Sequence, residues 1–231
     1  MSARPSRLPE VIADRIQDLL IAERLPPGSQ LSTENELAER YEISRTVVRE
    51  AARILEERGL VSIRPGRGMI TVELDGAPIA RHFALLLKAS PVAFEQLMDA
   101  RLLIETRVAG LAAMNRDEPD LIRLQSTVDG VRANRFDFDR CLAEDLRFHV
   151  DLCRASGNPM LSLLIDPINE CLRETYTVES DYMSRLDETL TEHQAILDAV
   201  AAGDAGAAEA ACAHHLDRIR AQSSALTQFR S

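Results

Sequence analysis

The spacing of apolar residues changes twice along this chain, and that pattern restricts the folds open to it more than any other feature. Helical spacing fills residues 8 to 58, two short β-rich runs follow, and from residue 78 onward only helical spacing returns. Val11, Ile12, Ile16, Leu19 and Leu20 define a first helix over residues 8 to 24, which Leu25-Pro26-Pro27-Gly28 stops. Ser32 or Thr33 can cap a short helix over residues 34 to 40, and the acids that follow suit the positive end of its dipole. The turn Tyr41-Glu42-Ile43-Ser44 leads into another helix, over residues 45 to 58, ended by Gly59 in a position suited to a left-handed cap. Leu60-Val61-Ser62-Ile63 and Met69-Ile70-Thr71-Val72 then flank Arg64-Pro65-Gly66-Arg67-Gly68, which reads as a hairpin with a basic tip.

A break falls at Glu73-Leu74-Asp75-Gly76-Ala77-Pro78, so two domains are expected, residues 1–75 and 76–231. The second should be an all-α bundle of six or seven helices, with stops at Ser90-Pro91, Asp117-Glu118-Pro119, Ser156-Gly157-Asn158-Pro159 and Gly203-Asp204. The expected fold class is mainly α. With 231 residues, 45% of them hydrophobic, the chain can build two cores. No apolar run approaches the roughly 20 residues of a membrane span, and the opening MSARPSRLPE lacks the apolar stretch of a signal peptide. The four cysteines are widely spaced without a C-x-x-C pair, which suits the cytoplasm.

Helix, short turn, helix and hairpin is the order of a winged helix-turn-helix, whose second helix enters the major groove of DNA. The formal charge of −10 argues against nucleic acid only if charge is averaged over the chain. Between residues 44 and 67 there are six arginines against three glutamates, a local excess of +3. Ser44, Arg45, Thr46 and Arg49 occupy the start of the candidate recognition helix, where arginine can grip guanine and hydroxyls can bond phosphate or base. Val48, Ala52 and Leu55 are spaced to pack inward against Leu37 and Ala38. Arg64 and Arg67, around Gly66, could reach an adjacent phosphate or the minor groove. The competing reading is an arginine-rich helix that is merely solvated.

In the C-terminal half, polar residues fall where core is expected. Asp145 and His149, four apart and stacked on one face, border the stripe Leu142, Leu146, Val150 and Cys153. His193 interrupts Leu186, Leu190, Leu197 and Val200, and His215 is in register with Ala208, Ala211 and Ile219. Burying such groups without partners costs about 1–3 kcal/mol apiece. A divalent metal would satisfy them together, since imidazole and carboxylate suit zinc, nickel, manganese or iron. Ordinary hydrogen-bonded histidines remain the alternative, and His82 and His214 are read that way. Arg101 lies in the stripe Leu97, Ile104, Val108 and Leu111, so it requires an anion: either Glu105, four residues on, or the carboxylate of a ligand.

The run from Leu31 to Ala51, followed by Leu55-Glu56-Glu57-Arg58-Gly59-Leu60-Val61 and Pro65-Gly66-Arg67-Gly68, resembles the DNA-binding domain of the GntR family of bacterial regulators. That resemblance implies DNA contacts from Arg45, Thr46, Arg49 and the wing around Gly66. Asn35 stands where the family usually has arginine, and Glu42 where a turn glycine is common. The C-terminal half is similar to the FCD ligand-binding domain of the FadR subfamily, through Arg101-Leu102-Leu103-Ile104-Glu105, Asp145-Leu146-Arg147-Phe148-His149, Ser156-Gly157-Asn158, Glu192-His193 and His215-Leu216. It implies Asp145, His149, His193 and His215 as metal ligands, zinc first among the candidates, and Arg101 as the grip on an effector such as a sugar acid, hydroxy acid or dicarboxylate. A homodimeric repressor on a pseudo-palindromic operator is the expected function. Its rivals are a regulator whose metal is purely structural, and a metal-dependent hydrolase or lyase with an appended DNA-binding domain. The enzyme reading lacks a nucleophile motif, and would have to recruit Glu144 or Glu192 as its base.

Overall fold

The computed structural model describes residues 7–73, 76–90, 93–175 and 179–226. Leu74 and Asp75 in the expected interdomain break, and Pro91 in an expected helix stop, lie outside them. The chain divides into two compact units, Met1–Pro78 and Ile79–Ser231.

In the first unit, α1 (Leu8–Glu23) turns Ile12, Ala13 and Ile16 inward. Thr33, rather than Ser32, caps α2 (Glu34–Tyr41): its hydroxyl accepts from the Glu36 N–H at 3.3 Å, and the Glu36 carboxylate accepts from the Thr33 N–H at 2.7 Å. The helix ends at Glu42, which sits in the left-handed region at φ 54°. Ser44 caps α3 (Arg45–Glu57), whose Val48, Ala51, Ala52 and Leu55 are buried. Gly59 follows at φ 73°, a conformation that glycine adopts without strain. Val48 and Leu55 are fully buried, and each such side chain contributes about 1.5–3 kcal/mol of hydrophobic stabilisation.

Strands β1 (Val61–Arg64) and β2 (Gly68–Thr71) pair antiparallel, with Val61 opposite Thr71 and Arg64 opposite Gly68. The hairpin therefore includes Arg64 as a paired residue, and only Pro65, Gly66 and Arg67 form its tip. The other edge of β2 is occupied too. Leu31 N–H donates to the Met69 carbonyl at 2.9 Å, Gly28 N–H to the Thr71 carbonyl at 2.8 Å, and Gln30 bridges to Ile70.

The second unit is helical: α4 (Ala77–Ala89), α5 (Ala93–Asn115), α6 (Glu118–Ala133), α7 (Phe138–Ala155), α8 (Pro159–Thr175), α9 (Glu179–Ser184), α10 (Leu186–Ala202) and α11 (Ala205–Leu226). That makes eight helices among the described residues, where the sequence suggested six or seven. The six residues of α9 are too few to display an apolar period. Asp117 caps α6, Asp137 caps α7, and Gly203 closes α10 at φ 75°. Helix α5 packs against α7, α10 and α11 around a core that includes Met98, Val108, Phe148, Leu152, Ile196 and Leu216. All four cysteines are buried and none is joined in a disulfide. Among the described residues, no helix is long and apolar enough to cross a membrane.

Candidate functional site

Two groups of side chains stand out, one in each unit. In the first unit, Ser44, Arg45, Thr46 and Arg49 are exposed at the start of α3, and Arg64, Gly66 and Arg67 are exposed at or beside the tip of the hairpin. Gly66 holds φ at 75°, so the tip turns without strain. The Ser44 hydroxyl accepts from the Val47 N–H at 3.4 Å. Arg49 makes a two-pronged pair with Glu34, Nη2 to Oε2 at 3.0 Å and Nε to Oε1 at 3.3 Å. Both side chains are solvated, so the pair is weakly held and open to exchange for another anion.

In the second unit, α7 carries Asp145 and His149, α10 carries His193, and α11 carries His215. The three histidines are no more than 2% exposed, and one ring nitrogen of each lies within 4.8 Å of the others. His193 Nε2 is 3.3 Å from His215 Nε2 and 3.3 Å from Asp145 Oδ1. Among the described residues His149 Nε2 has no hydrogen-bond partner. An orphaned buried nitrogen beside two facing nitrogens and a carboxylate is a donor arrangement that a cation would satisfy. Burial lowers the pKa of all three imidazoles, most strongly that of His193, where the neighbouring His215 adds to the effect. They are thus neutral rings with lone pairs to offer. Burial raises the Asp145 carboxyl, an effect His215 and Arg101 oppose. Three imidazole nitrogens and one carboxylate oxygen fit a divalent transition metal.

Behind these rings stand Arg101, which the sequence placed in the site, and Glu105, Glu192 and Arg218, whose contacts with the site the sequence did not reveal. His149 Nδ1 lies 2.5 Å from Glu105 Oε2, a close ion-pair contact rather than an aligned hydrogen bond, and Arg101 Nε donates to Glu105 Oε1. Glu105 is fully buried and Arg101 nearly so. The structure thus shows Arg101 in the ion pair with Glu105 that the sequence left as one of two options. His215 Nδ1 donates to Glu192 Oε2 at 2.7 Å, and Arg218 meets the same carboxylate through Nε at 2.6 Å and Nη2 at 2.5 Å. Burial raises both carboxyls. It is outweighed by Arg101 and His149 at Glu105, and by His215 and Arg218 at Glu192, so each is held down at about 2. The sequence pointed to Glu105 through its spacing from Arg101, and to Glu192 through its place beside His193 and as the base that the enzyme reading would recruit. His82 is exposed, and the His214 side chain is 77% exposed, outside the cluster.

Comparison with known proteins agrees with both halves. The gntR family of bacterial regulatory proteins matches residues 8–70, and the FCD domain matches residues 96–218. The chain is similar to the HTH-type transcriptional regulator LutR of Bacillus subtilis, at 36% identity over 84% of this chain and 91% of that protein. It is also similar to the galactonate operon transcriptional repressor of Escherichia coli, at 29% identity over 80% of this chain and 83% of the repressor. Among solved structures, a GntR protein of Streptococcus agalactiae superposes with a TM-score of 0.76 at 27% identity, covering 93% of this chain and 99% of that one. The chain belongs to the GntR family of bacterial regulatory proteins, with an FCD domain following its helix-turn-helix, and is a DNA-binding transcription regulator rather than an enzyme.

Proposed function

We propose that this regulator is a cytoplasmic homodimeric repressor whose hold on its operator is controlled by a small carboxylate bound beside a divalent metal. The observation that carries the reading is the meeting of three buried imidazoles with Asp145 on α7, α10 and α11, with Arg101 of the adjoining α5 close enough to act on the Asp145 carboxyl. Asp145, His149, His193 and His215 would hold the metal, which as a Lewis acid would bind the oxygens of an effector. Zinc suits this donor set, and nickel, manganese and iron are the other candidates. Arg101 would supply the charge for the effector's carboxylate, exchanging part of its pairing with Glu105. A relative is named for an operon of galactonate, a hydroxylated carboxylic acid, which supports a sugar or hydroxy acid here.

On the DNA side, Arg45 and Arg49 would read base edges, Ser44 and Thr46 would bond phosphate or base, and Arg64, Gly66 and Arg67 would meet the flanking backbone. Two copies would place two α3 helices on a pseudo-palindromic site. The effector alters operator affinity only if it binds one arrangement of the dimer better than the other. A thermal-shift series of organic acids, with and without Zn(II), tests this. A true ligand at 100 times its Kd adds about 2.7 kcal/mol of stability. That gain should require the metal and be matched by weaker operator retention in gel shifts. A second reading, a purely structural metal with no effector, draws on the existing Arg101–Glu105 pair, and it prevails if no acid changes either quantity.

A further inference from the structure

The metal reading leaves two buried or half-buried glutamates without a role, and their surroundings repeat. Each carboxylate lies between an arginine and a buried histidine: Arg101, Glu105 and His149 in one case, Arg218, Glu192 and His215 in the other, with the exposed His214 a further 3.7 Å neighbour of Glu192. The two triads draw on different helices, α5 with α7 and α10 with α11. In both, the histidine reaches the carboxylate through Nδ1, at 2.5 Å for His149 and 2.7 Å for His215. A carboxylate is an acceptor, so Nδ1 carries the hydrogen in the hydrogen-bonded His215; at His149 a bare lone pair held 2.5 Å from a carboxylate oxygen would be repelled, which favours the same assignment. In a neutral imidazole the lone pair then resides on Nε2. These are the nitrogens that face the shared space: Nε2 of His215 lies 3.3 Å from Nε2 of His193, and Nε2 of His149 has no hydrogen-bond partner among the described residues.

We propose that Glu105 and Glu192 are positioning residues of the metal centre, each locking one imidazole as its Nδ1–H tautomer so that His149 and His215 both present Nε2 to a common ion. This rests on the metal reading given above. Each arginine balances a carboxylate charge that burial would otherwise leave alone, and so keeps the acceptor in place beside its ring. His193 is held by other means: its ring stacks on Phe148 with centroids 4.1 Å apart and planes 10° from parallel. Two rings are thus oriented by carboxylates and one by an aromatic face.

The test uses the full-length chain stripped of metal by chelation and labelled with 15N in its histidines. Long-range 15N–1H correlation spectra distinguish the two tautomers, and His→Gln variants assign the signals. The unsubstituted protein should show Nδ1–H at His149 and His215. E192Q should lose that preference at His215 alone, and E105Q at His149 alone. Each should weaken Zn(II) binding, measured by chelator competition, by about 10- to 100-fold. E192Q is the safer variant, because Glu192 lies nearer the surface, and it decides the matter if E105Q does not fold. Zinc binding by a parent whose two rings are Nε2–H tautomers overturns the inference and leaves the metal centre standing. So does an E192Q affinity within twofold of the parent. A parent protein that binds no zinc removes the metal centre itself, and the inference with it.

Discussion

Replacing Arg101 with methionine is the sharpest probe of the buried polar chain. Arg101 is 2% exposed and Glu105 fully buried, so R101M takes the guanidinium from a carboxylate that water cannot reach. Methionine retains much of the packing of the arginine stem, so the loss reports mainly on charge. Breaking a buried pair by removing one partner costs about 3–5 kcal/mol, because the remaining charge is left uncompensated. At roughly 2–4 °C per kcal/mol for a unit of this size, the thermal midpoint of the C-terminal unit should fall by on the order of 10 °C. Differential scanning calorimetry of the metal-free protein reads this directly, the N-terminal unit serving as an internal control through its separate core. The double variant R101M/E105Q, which removes both charges, should recover at least half of the loss. A single-variant shift below about 2 °C, or losses that merely add in the double variant, would refute the argument that the pair is desolvated and coupled.

Other consequences follow from the same structure. Arg45→Ala, at the exposed start of α3, should weaken operator binding about 10- to 100-fold in gel shifts, as expected for a lost arginine–guanine contact; unchanged affinity would remove Arg45 from the interface. Glu42→Gly should raise the stability of the N-terminal unit by up to about 1 kcal/mol, since glycine adopts the φ of 54° found there without strain; an unchanged or lower urea midpoint would show that the Glu42 side chain compensates. Burial depresses the pKa of His149, His193 and His215 below 6.5, so in the metal-free protein the unfolded chain binds protons that the folded chain refuses. Their contribution is therefore complete above about pH 6.5 and declines as pH falls below it. A urea midpoint of the chelated protein that is higher at pH 5.5 than at pH 7.5 would contradict neutral burial.

The DNA-binding half was legible because each of its signals is local. The period of Val48, Ala52 and Leu55, the hydroxyl before α3 and Gly59 after it all lie within one short stretch. Glu42 entered as a departure from a glycine, and the backbone there still adopts the left-handed turn that a glycine would favour. The helical half was legible in parts. Asp145 and His149 share a face at four-residue spacing, and His193 visibly interrupts an apolar stripe. Their convergence depends on how α7, α10 and α11 pack, which no local period encodes. Glu105 was foreseeable only as a partner for Arg101, because its second contact comes from another helix. Glu192 was harder still, since adjacent helical residues point about 100° apart and its neighbour His193 draws attention to a different face. Helix α9 is too short to have declared itself.

The two-sided pairing of β2 bears on how the hairpin would meet DNA in the proposed complex. With β1 along one side and the 28–31 segment along the other, the strand has no open backbone edge to recruit a foreign chain. The ribbon behind Arg67 is fastened at its root, down to the hydrogen bond from Gln30 Nε2 to the Arg67 carbonyl at 3.0 Å. Folding has thus already immobilised the backbone beneath the fingertip cations, so docking on a polyanion needs to freeze little beyond two guanidinium stems.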